Sequence, residues 1–321
     1  MGSIHRLSWL VAAAALAAGT PAWAQYPAKP IRLIVPFPAG SANDLVARFV
    51  APPLSDGLGR QVVIDNRAGA AGNIGADVAA KSPPDGYTLM MANIAHAISM
   101  TLYDRLPYDI VKDFAPVSLL TRNTVMLVVH PSVPAQTLQE FMALARANPG
   151  QLFYASSGVG GPNHLAGEIF NRTTGLQITH VPFQGTGLAL QAVISNQVGA
   201  MWGFMAGLIP HIRGGSLRAL AVGGSERSAA LPNVPTVAEA GVSGYEAVSW
   251  IGMVAPAGLP VPVMDKLWGA VHAAMAEKSV TDNLASGGSE IVASKPEEFR
   301  QVIERDYAKY GKLSDLFKSA N

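Results

Sequence analysis

No cysteine occurs in the 321 residues. That excludes a disulfide framework, a thiolate nucleophile, Cys-ligated zinc and Cys-held iron–sulfur clusters. Neither charge is in excess, with 23 Lys and Arg against 22 Asp and Glu. A polyanionic partner calls for a basic surplus, so no nucleic acid is expected. Aromatic residues make up only 7% of the chain, which makes the placement of each one informative. What is plentiful is apolar: 49% of residues are hydrophobic, too many for a disordered chain, and the length suits about two domains with their own cores.

The one long apolar run is at the start. Met1–Trp9 carries Arg6 and no acid, Leu10–Gly19 is Ala-rich and apolar, and Ala22-Trp23-Ala24 supplies the small residues of a leader cleavage site. About ten apolar residues fall short of the ~20 that span a bilayer. Residues 1–24 therefore read as a secretory signal cleaved near Ala24-Gln25, and the protein as exported to the periplasm of a diderm host. Removing Arg6 leaves 22 basic and 22 acidic residues. An exported protein has little access to ATP or nicotinamide cofactors, and no cofactor is expected.

Short apolar runs alternate with helical patterns along the rest of the chain. Strands at Ile31–Pro36, Gln61–Asp65 and Tyr87–Ala92 enclose helices at Asn43–Ser55 and Asn73–Lys81, a βαβαβ pattern that implies a parallel sheet. Two strands, Phe114–Leu120 and Val125–Val129, then precede a second alternation: helices at 138–147, 163–173, 188–196 and 206–213, and strands at 152–155, 177–181, 200–204 and 218–222. Thr137 and Glu140, and again Ser294 and Glu297, have capping-box spacing. After a Pro/Gly-rich connection at 231–244 come a strand at 248–254, helices at 262–275 and 281–285, a short strand near Ile291 and a last helix at 297–317. One strand cannot satisfy its own edges, so this last block is expected to return to the first domain. The expected fold is α/β: two lobes, each a mostly parallel sheet flanked by helices, joined by two crossovers. Lobe one comprises 25–124 and 246–321, and lobe two 125–245.

Three Gly-rich loops each follow a strand and open a helix: Phe37-Pro38-Ala39-Gly40-Ser41-Ala42-Asn43-Asp44, Ser156-Ser157-Gly158-Val159-Gly160-Gly161-Pro162-Asn163, and Phe183-Gln184-Gly185-Thr186-Gly187. Ligands of open parallel sheets bind at the carboxyl ends of strands. Glycine lets backbone N–H groups approach, and a helix N-terminus adds unpaired donors and partial positive charge. Such loops suit an anion without any Lys or Arg, and none lies in them. Hydroxyls of Ser41, Ser156, Ser157 and Thr186 would add donors. His96, just past a lobe-one strand, and His164, at a helix start, read either as ligand contacts or as packing and capping residues. Phe37 and Phe183 sit in the loops, Trp202 and Phe204 end a lobe-two strand, and Trp250 lies in the returning strand; at least two of them are expected to line a cleft.

Enzyme signatures are missing. Gly185-Thr186-Gly187 places Leu190 at the last position of a dinucleotide fingerprint, no G-K-[ST] phosphate loop occurs, and Ala155-Ser156-Ser157-Gly158 lacks the first glycine of a nucleophile elbow. The seven histidines contain no H-x-x-x-H pair, so no metal site is expected.

Pro30-Ile31-Arg32-Leu33-Ile34-Val35-Pro36-Phe37-Pro38-Ala39-Gly40, Asp65-Asn66-Arg67-Ala68-Gly69, Pro84-Asp85-Gly86-Tyr87-Thr88-Leu89, His180-Val181-Pro182-Phe183, Leu217-Arg218-Ala219-Leu220-Ala221-Val222 and Pro235-Thr236-Val237-Ala238-Glu239-Ala240-Gly241 follow in order. From about Tyr26 onward the chain resembles the Bug family, extracytoplasmic solute receptors of tripartite tricarboxylate transporters. The resemblance implies a monomeric, non-enzymatic periplasmic binding protein that closes on a small carboxylate and serves membrane transporter subunits. It implies a carboxylate held by backbone and hydroxyl donors of the first-lobe loop and the facing second-lobe loops; together with the reading of the residues above, this puts the candidate ligand contacts at Phe37, Ala39, Gly40, Ser41, Asn43, Asp44 and His96 of lobe one. From lobe two the candidates are Ser156, Ser157, Gly158, Asn163, His164, Phe183, Gly185, Thr186 and Phe204, and from the returning strand Trp250. Ser41 stands at the family's second glycine, Phe183-Gln184-Gly185 replaces Tyr-Lys-Gly, and Gly203 and Phe204 fill a stretch where many members have Asp. Losing that Asp, with Trp202 and Phe204 nearby, favours an apolar or aromatic carboxylate over an amino acid. A sensor or co-receptor for a membrane histidine kinase is the alternative role, and a secreted α/β hydrolase a more distant one.

Overall fold

The computed structural model describes residues 26–103, 105–159, 161–286 and 289–311. The leader, Gly160 and the end of the last expected helix lie outside the described residues.

The first sheet begins with β1 (Ile31–Val35), α1 (Ala42–Leu58), β2 (Val62–Asn66), α2 (Asn73–Ala80), β3 (Thr88–Asn93) and α3 (Ile94–Leu102). β1 pairs in parallel with β2 and β3. Alternation along β1 sends Ile31, Leu33 and Val35 into one core and Ile34 into the core on the other face. α1 stops at Gly59, whose φ of 66° gives the left-handed cap that glycine adopts without strain.

The chain then runs through β4 (Phe114–Val129), α4 (Leu138–Ala147), β5 (Leu152–Ser156), α5 (Pro162–Thr174), β6 (Ile178–Pro182), α6 (Thr186–Ile194), β7 (Ala200–Phe204), α7 (Met205–Arg213) and β8 (Arg218–Val222). It returns through β9 (Val248–Pro256), α8 (Val261–Ala276), α9 (Lys278–Ser286), β10 (Glu290–Ile291) and α10 (Pro296–Gly311). In the second sheet β5 pairs in parallel with β6 and β7, and β4 pairs antiparallel with β7 and β8. In the first sheet β9 lies antiparallel between β3 and β4. Each sheet is thus mostly parallel, with one long strand, β9 in the first and β4 in the second, running against both of its neighbours, while the short β10 pairs antiparallel with β4 in the first.

β4 corrects the expectation of two strands. It is continuous, paired with β9 up to Thr124 and with β7 from Val125. Thr121-Arg122-Asn123-Thr124 contains no Gly or Pro to stop it, and Arg122, Asn123 and Thr124 are half-buried where the strand leaves one sheet for the other. The chain goes back between Ala247, bonded to Gly223 of the second sheet, and Val248, paired with Thr124 in the first. α3 is an element that sequence patterning missed, because it follows β3 with no loop and Thr88–Ile98 is broken only by Asn93 and His96. Asn93 caps it, accepting from the Ala95 N–H, while His96 takes the Asn93 N–H in the role that Glu or Gln usually plays. Ser294 is not the expected cap: its Oγ accepts from the Leu119 N–H, and Glu298 instead receives the Lys295 N–H before α10. Thr137 does cap α4.

Leu165 of α5 packs in the cluster of Ile94, Ile98, Trp250 and Phe299, with Ile169 bridging it to the second sheet's own core. The two sheets are therefore joined by an apolar contact as well as by the crossing strands.

Candidate functional site

The loop after β1 is built around Asp44. Its Oδ2 accepts the Gly40 N–H at 2.8 Å and Arg48 Nε at 2.8 Å, and its Oδ1 accepts Asn66 Nδ2 at 2.9 Å. The side chain is 2% exposed, that of Arg48 51%. Burial would raise the carboxyl's pKa, but the Arg48, Gly40 and Asn66 bonds outweigh it and hold the group below its ordinary range. Gly40 has φ 80°, and Ser41 caps α1 by accepting the Asp44 N–H. The Leu45 N–H returns to the Ser41 carbonyl. In the first turn the amides of Ala42 and Asn43 are then left without an intrahelical acceptor. Ala39 and Gly40 are exposed, and Ser41 and Phe37 half-buried.

Beneath this loop lies a buried polar cluster. Asn43 Oδ1 accepts Asn93 Nδ2 at 3.0 Å, and Tyr108 donates its hydroxyl to Asn73 Oδ1 at 2.6 Å. His96 is wholly buried, packed edge-on against Phe37 at 5.8 Å. Burial pushes its pKa down to about 4, so it is a neutral ring at pH 7. Its Nε2 lies at the Gly72 backbone, and among the described residues neither it nor Asn73 Nδ2 has a well-formed hydrogen bond.

In the second sheet, Ser156 is fully buried. Its Oγ lies 2.6 Å from His180 Nε2 and accepts the Gly158 N–H at 3.1 Å. His180 stacks on His164 at 4.0 Å, and His164 Nε2 lies 3.8 Å from Glu168, which accepts the Tyr154 hydroxyl. Burial lowers the pKa of both histidines to about 4, and for His180 the neighbouring His164 adds to the effect. The Gly185 N–H bonds to the Ser157 carbonyl and the Phe183 N–H to that of Ser156, which fixes the two loops side by side. The half-buried Ser157 hydroxyl makes no hydrogen bond among the described residues. Asn163, in the first turn of α5, is 0% exposed, and neither its Nδ2 nor its Oδ1 has a partner among the described residues. Orphaned polar groups in a native interior are few, and each calls for an explanation such as a ligand or ordered water. Gly158 and Gly185 have φ of 132° and 106°, and Thr186, Phe183 and Phe204 are half-buried.

Several expected ligand contacts turn into the fold instead. The Asn43 and Asp44 side chains are consumed by β3 and by the loop itself, which leaves only the Asn43 amide. Trp250 is 2% exposed, donates its indole N–H to Asp306 at 2.8 Å and packs edge-on against Phe299. Trp202 is buried against Phe170 and Tyr245. The strand period explains both: each points into a core rather than along the strand's end. A cavity of about 660 Å³ lies away from the three loops, between the Gly224–Ala230 segment, the crossing strands and α10. Sequence reasoning missed Arg48, Asn66, Asn73 and His180; the Asp65-Asn66-Arg67-Ala68-Gly69 segment was the only signal for Asn66. Among the described residues no group of three or more His, Cys, Asp or Glu is placed to hold a metal, and no helix is long and apolar enough to cross a membrane.

Two sets of donors at the carboxyl ends of β1 and of β5–β6, on separate sheets joined by crossing strands, define a two-lobe binding protein. Comparison with known proteins agrees. The family model for the tripartite tricarboxylate transporter family receptor, TctC, matches residues 46–317. The protein BugT of Bordetella pertussis is 37% identical over 280 residues, 87% of this chain and 86% of that one. The structure of Rhodopseudomonas palustris Rpa4515 with adipate superposes with TM-score 0.81 at 34% identity, covering 91% of this chain and 98% of that one. MatC from Rhodopseudomonas palustris with bound malate gives TM-score 0.79 at 32% identity, covering 90% of this chain and all of that one. The chain belongs to the tripartite tricarboxylate transporter receptor family, the periplasmic solute-binding proteins of the Bug type.

Proposed function

We propose that this receptor captures a small carboxylate with an apolar body between its lobes, residues 25–124 with 246–321 and residues 125–245. The observation that carries the proposal is the first turn of α5, where the fully buried Asn163 side-chain amide has no partner among the described residues, with the half-buried Ser157 hydroxyl in the loop that leads into the helix. The Asn163 backbone N–H, in the same turn, also lacks an intrahelical acceptor. On the other lobe the Ala42 and Asn43 amides and the Ser41 hydroxyl supply a second set. The charge is balanced by dipoles, since no Lys or Arg lies in the loops and the nearby histidines are neutral. Phe37, Phe183 and Phe204, half-buried beside the donors, suit an apolar body. Adipate in a 34% identical neighbour supports this class. Ser156 and His180 resemble a hydrolytic pair, but Ser156 is buried and its oxygen already takes the Gly158 N–H, which supports binding without turnover. Residues 1–24 would direct export, and delivery would be to the membrane subunits of a tripartite transporter.

A thermal-shift panel of aliphatic, aromatic and amino-acid carboxylates tests the reading. Binding to the native state at a hundred times Kd stabilises it by about 2.7 kcal/mol. A carboxylate should raise Tm while its amide does not. Equal shifts from acid and amide would rule out an anion site.

A further inference from the structure

We infer that Asp44 is a positioning residue that occupies, from within the protein, the anion place at Gly40, and so determines which amides are left for ligand. The inference rests on the carboxylate reading of the loop after β1. A carboxylate ending a loop of free N–H groups is the wrong charge for a direct contact with an anionic ligand. Its geometry explains why it is there. One oxygen takes the Gly40 N–H and Arg48 Nε, and the other takes Asn66 Nδ2. Asn66 Nδ2 also reaches the Phe37 carbonyl at 3.2 Å. One buried group thus ties together the tip of the loop, its beginning, the end of β2 and α1. With Gly40 taken, the amides left over in the first turn are those of Ala42 and Asn43. Ser41 Oγ already accepts the Asp44 N–H, so its hydroxyl proton is free to point outward.

The same contacts assign a role to Arg48. It is the first-turn acid's counter-charge, held at 2.8 Å, and it keeps this half of the site neutral. Asp44→Asn keeps the shape but loses one acceptor and the charge. Its single amide oxygen cannot serve Gly40, Asn66 and Arg48 together. The loop should loosen, and Arg48 should become an unpaired cation a turn away from the bound anion.

The test has two arms, both on the full mature chain. In the ligand-free protein, hydrogen exchange at the Gly40 amide should speed up by about tenfold or more in Asp44→Asn, while β4 core amides such as Leu127 keep their protection. In calorimetry with adipate, and with malate, benzoate and aspartate as further probes, Asp44→Asn should bind whichever of them the wild type binds about tenfold more weakly. Its binding should also acquire a salt dependence that the wild type lacks. Adding Arg48→Gln should remove the salt dependence without restoring affinity, which a merely structural defect would not produce. Unchanged Gly40 exchange, or wild-type affinity and salt response in Asp44→Asn, overturns the inference. So does selective loss of aspartate binding with adipate unaffected, because Asp44 would then be contacting a ligand ammonium. If the wild type binds no probe, the carboxylate reading fails, and the exchange arm still decides whether Asp44 holds the loop.

Discussion

His96 offers a measurement whose size follows from the structure. The ring is wholly buried between Phe37, Tyr108 and the Gly72 turn, and its pKa falls from the ordinary 6.5 to about 4. Burial is the main cause, because a charged imidazolium would lose its water there. The folded pKa is depressed, so between about pH 6.5 and 4 the unfolded chain binds a proton that the folded chain refuses. Stability therefore falls as pH drops through that window and levels off below it. The full cost is about 3 kcal/mol, of which about 2 kcal/mol is lost between pH 7 and 4.5. His164 and His180 act in the same direction. His96→Gln isolates one group, since Gln at this helix position can still accept the Asn93 N–H and does not titrate. Urea unfolding at a series of pH values should show the wild type losing about 2 kcal/mol more than His96→Gln over that range. Parallel losses in the two proteins would mean that His96 is not buried neutral.

Gly167→Ala would place a methyl 2.3 Å from the Tyr154 ring, which also holds Glu168; denaturant unfolding should register a loss of about 1–3 kcal/mol. Ser41→Ala removes the cap of α1 and should lower stability by about 0.5–2 kcal/mol, with protection lost first in Asn43–Val46 by hydrogen exchange. Leu165→Ala deletes an apolar contact between the lobes; stability should fall by about 2–4 kcal/mol, and scattering of the ligand-free protein should show a larger radius. Intact mass of the exported protein should correspond to a chain beginning at Gln25.

The parts of the fold governed by local pattern were legible. Ile31–Val35 and the helices after the Gly loops follow from β-branched runs, period and caps. α3 was not legible, because Thr88–Ile98 is mostly apolar with only Asn93 and His96 to mark the change, and the switch at Asn93 depends on a histidine filling an unusual capping role. Nor was the continuity of β4, since polar Arg122-Asn123-Thr124 looks like a break when it is only a strand between two sheets. In the site, the positions of the Gly loops were readable, but the direction of each side chain was not. Asn43, Asp44 and Trp250 all sit where a ligand residue could, and long-range partners, Asn93, Asn66 and Asp306, turn them inward. Sequence spacing does not encode those partners. Arg48 is different: it pairs with Asp44 at i,i+4 on α1, a spacing visible in the sequence, but it lies outside the loop it neutralises.

The most direct test of the central claim is calorimetric titration of the mature protein and of Ser157→Ala with the carboxylate that gives the largest thermal shift. A hydroxyl donating to a carboxylate contributes roughly 1.5–3 kcal/mol. The account predicts one site per chain, little change in wild-type affinity with added salt, and affinity about ten- to a hundredfold weaker in Ser157→Ala at unchanged Tm. Wild-type affinity in Ser157→Ala, or wild-type binding that collapses with salt, would contradict it.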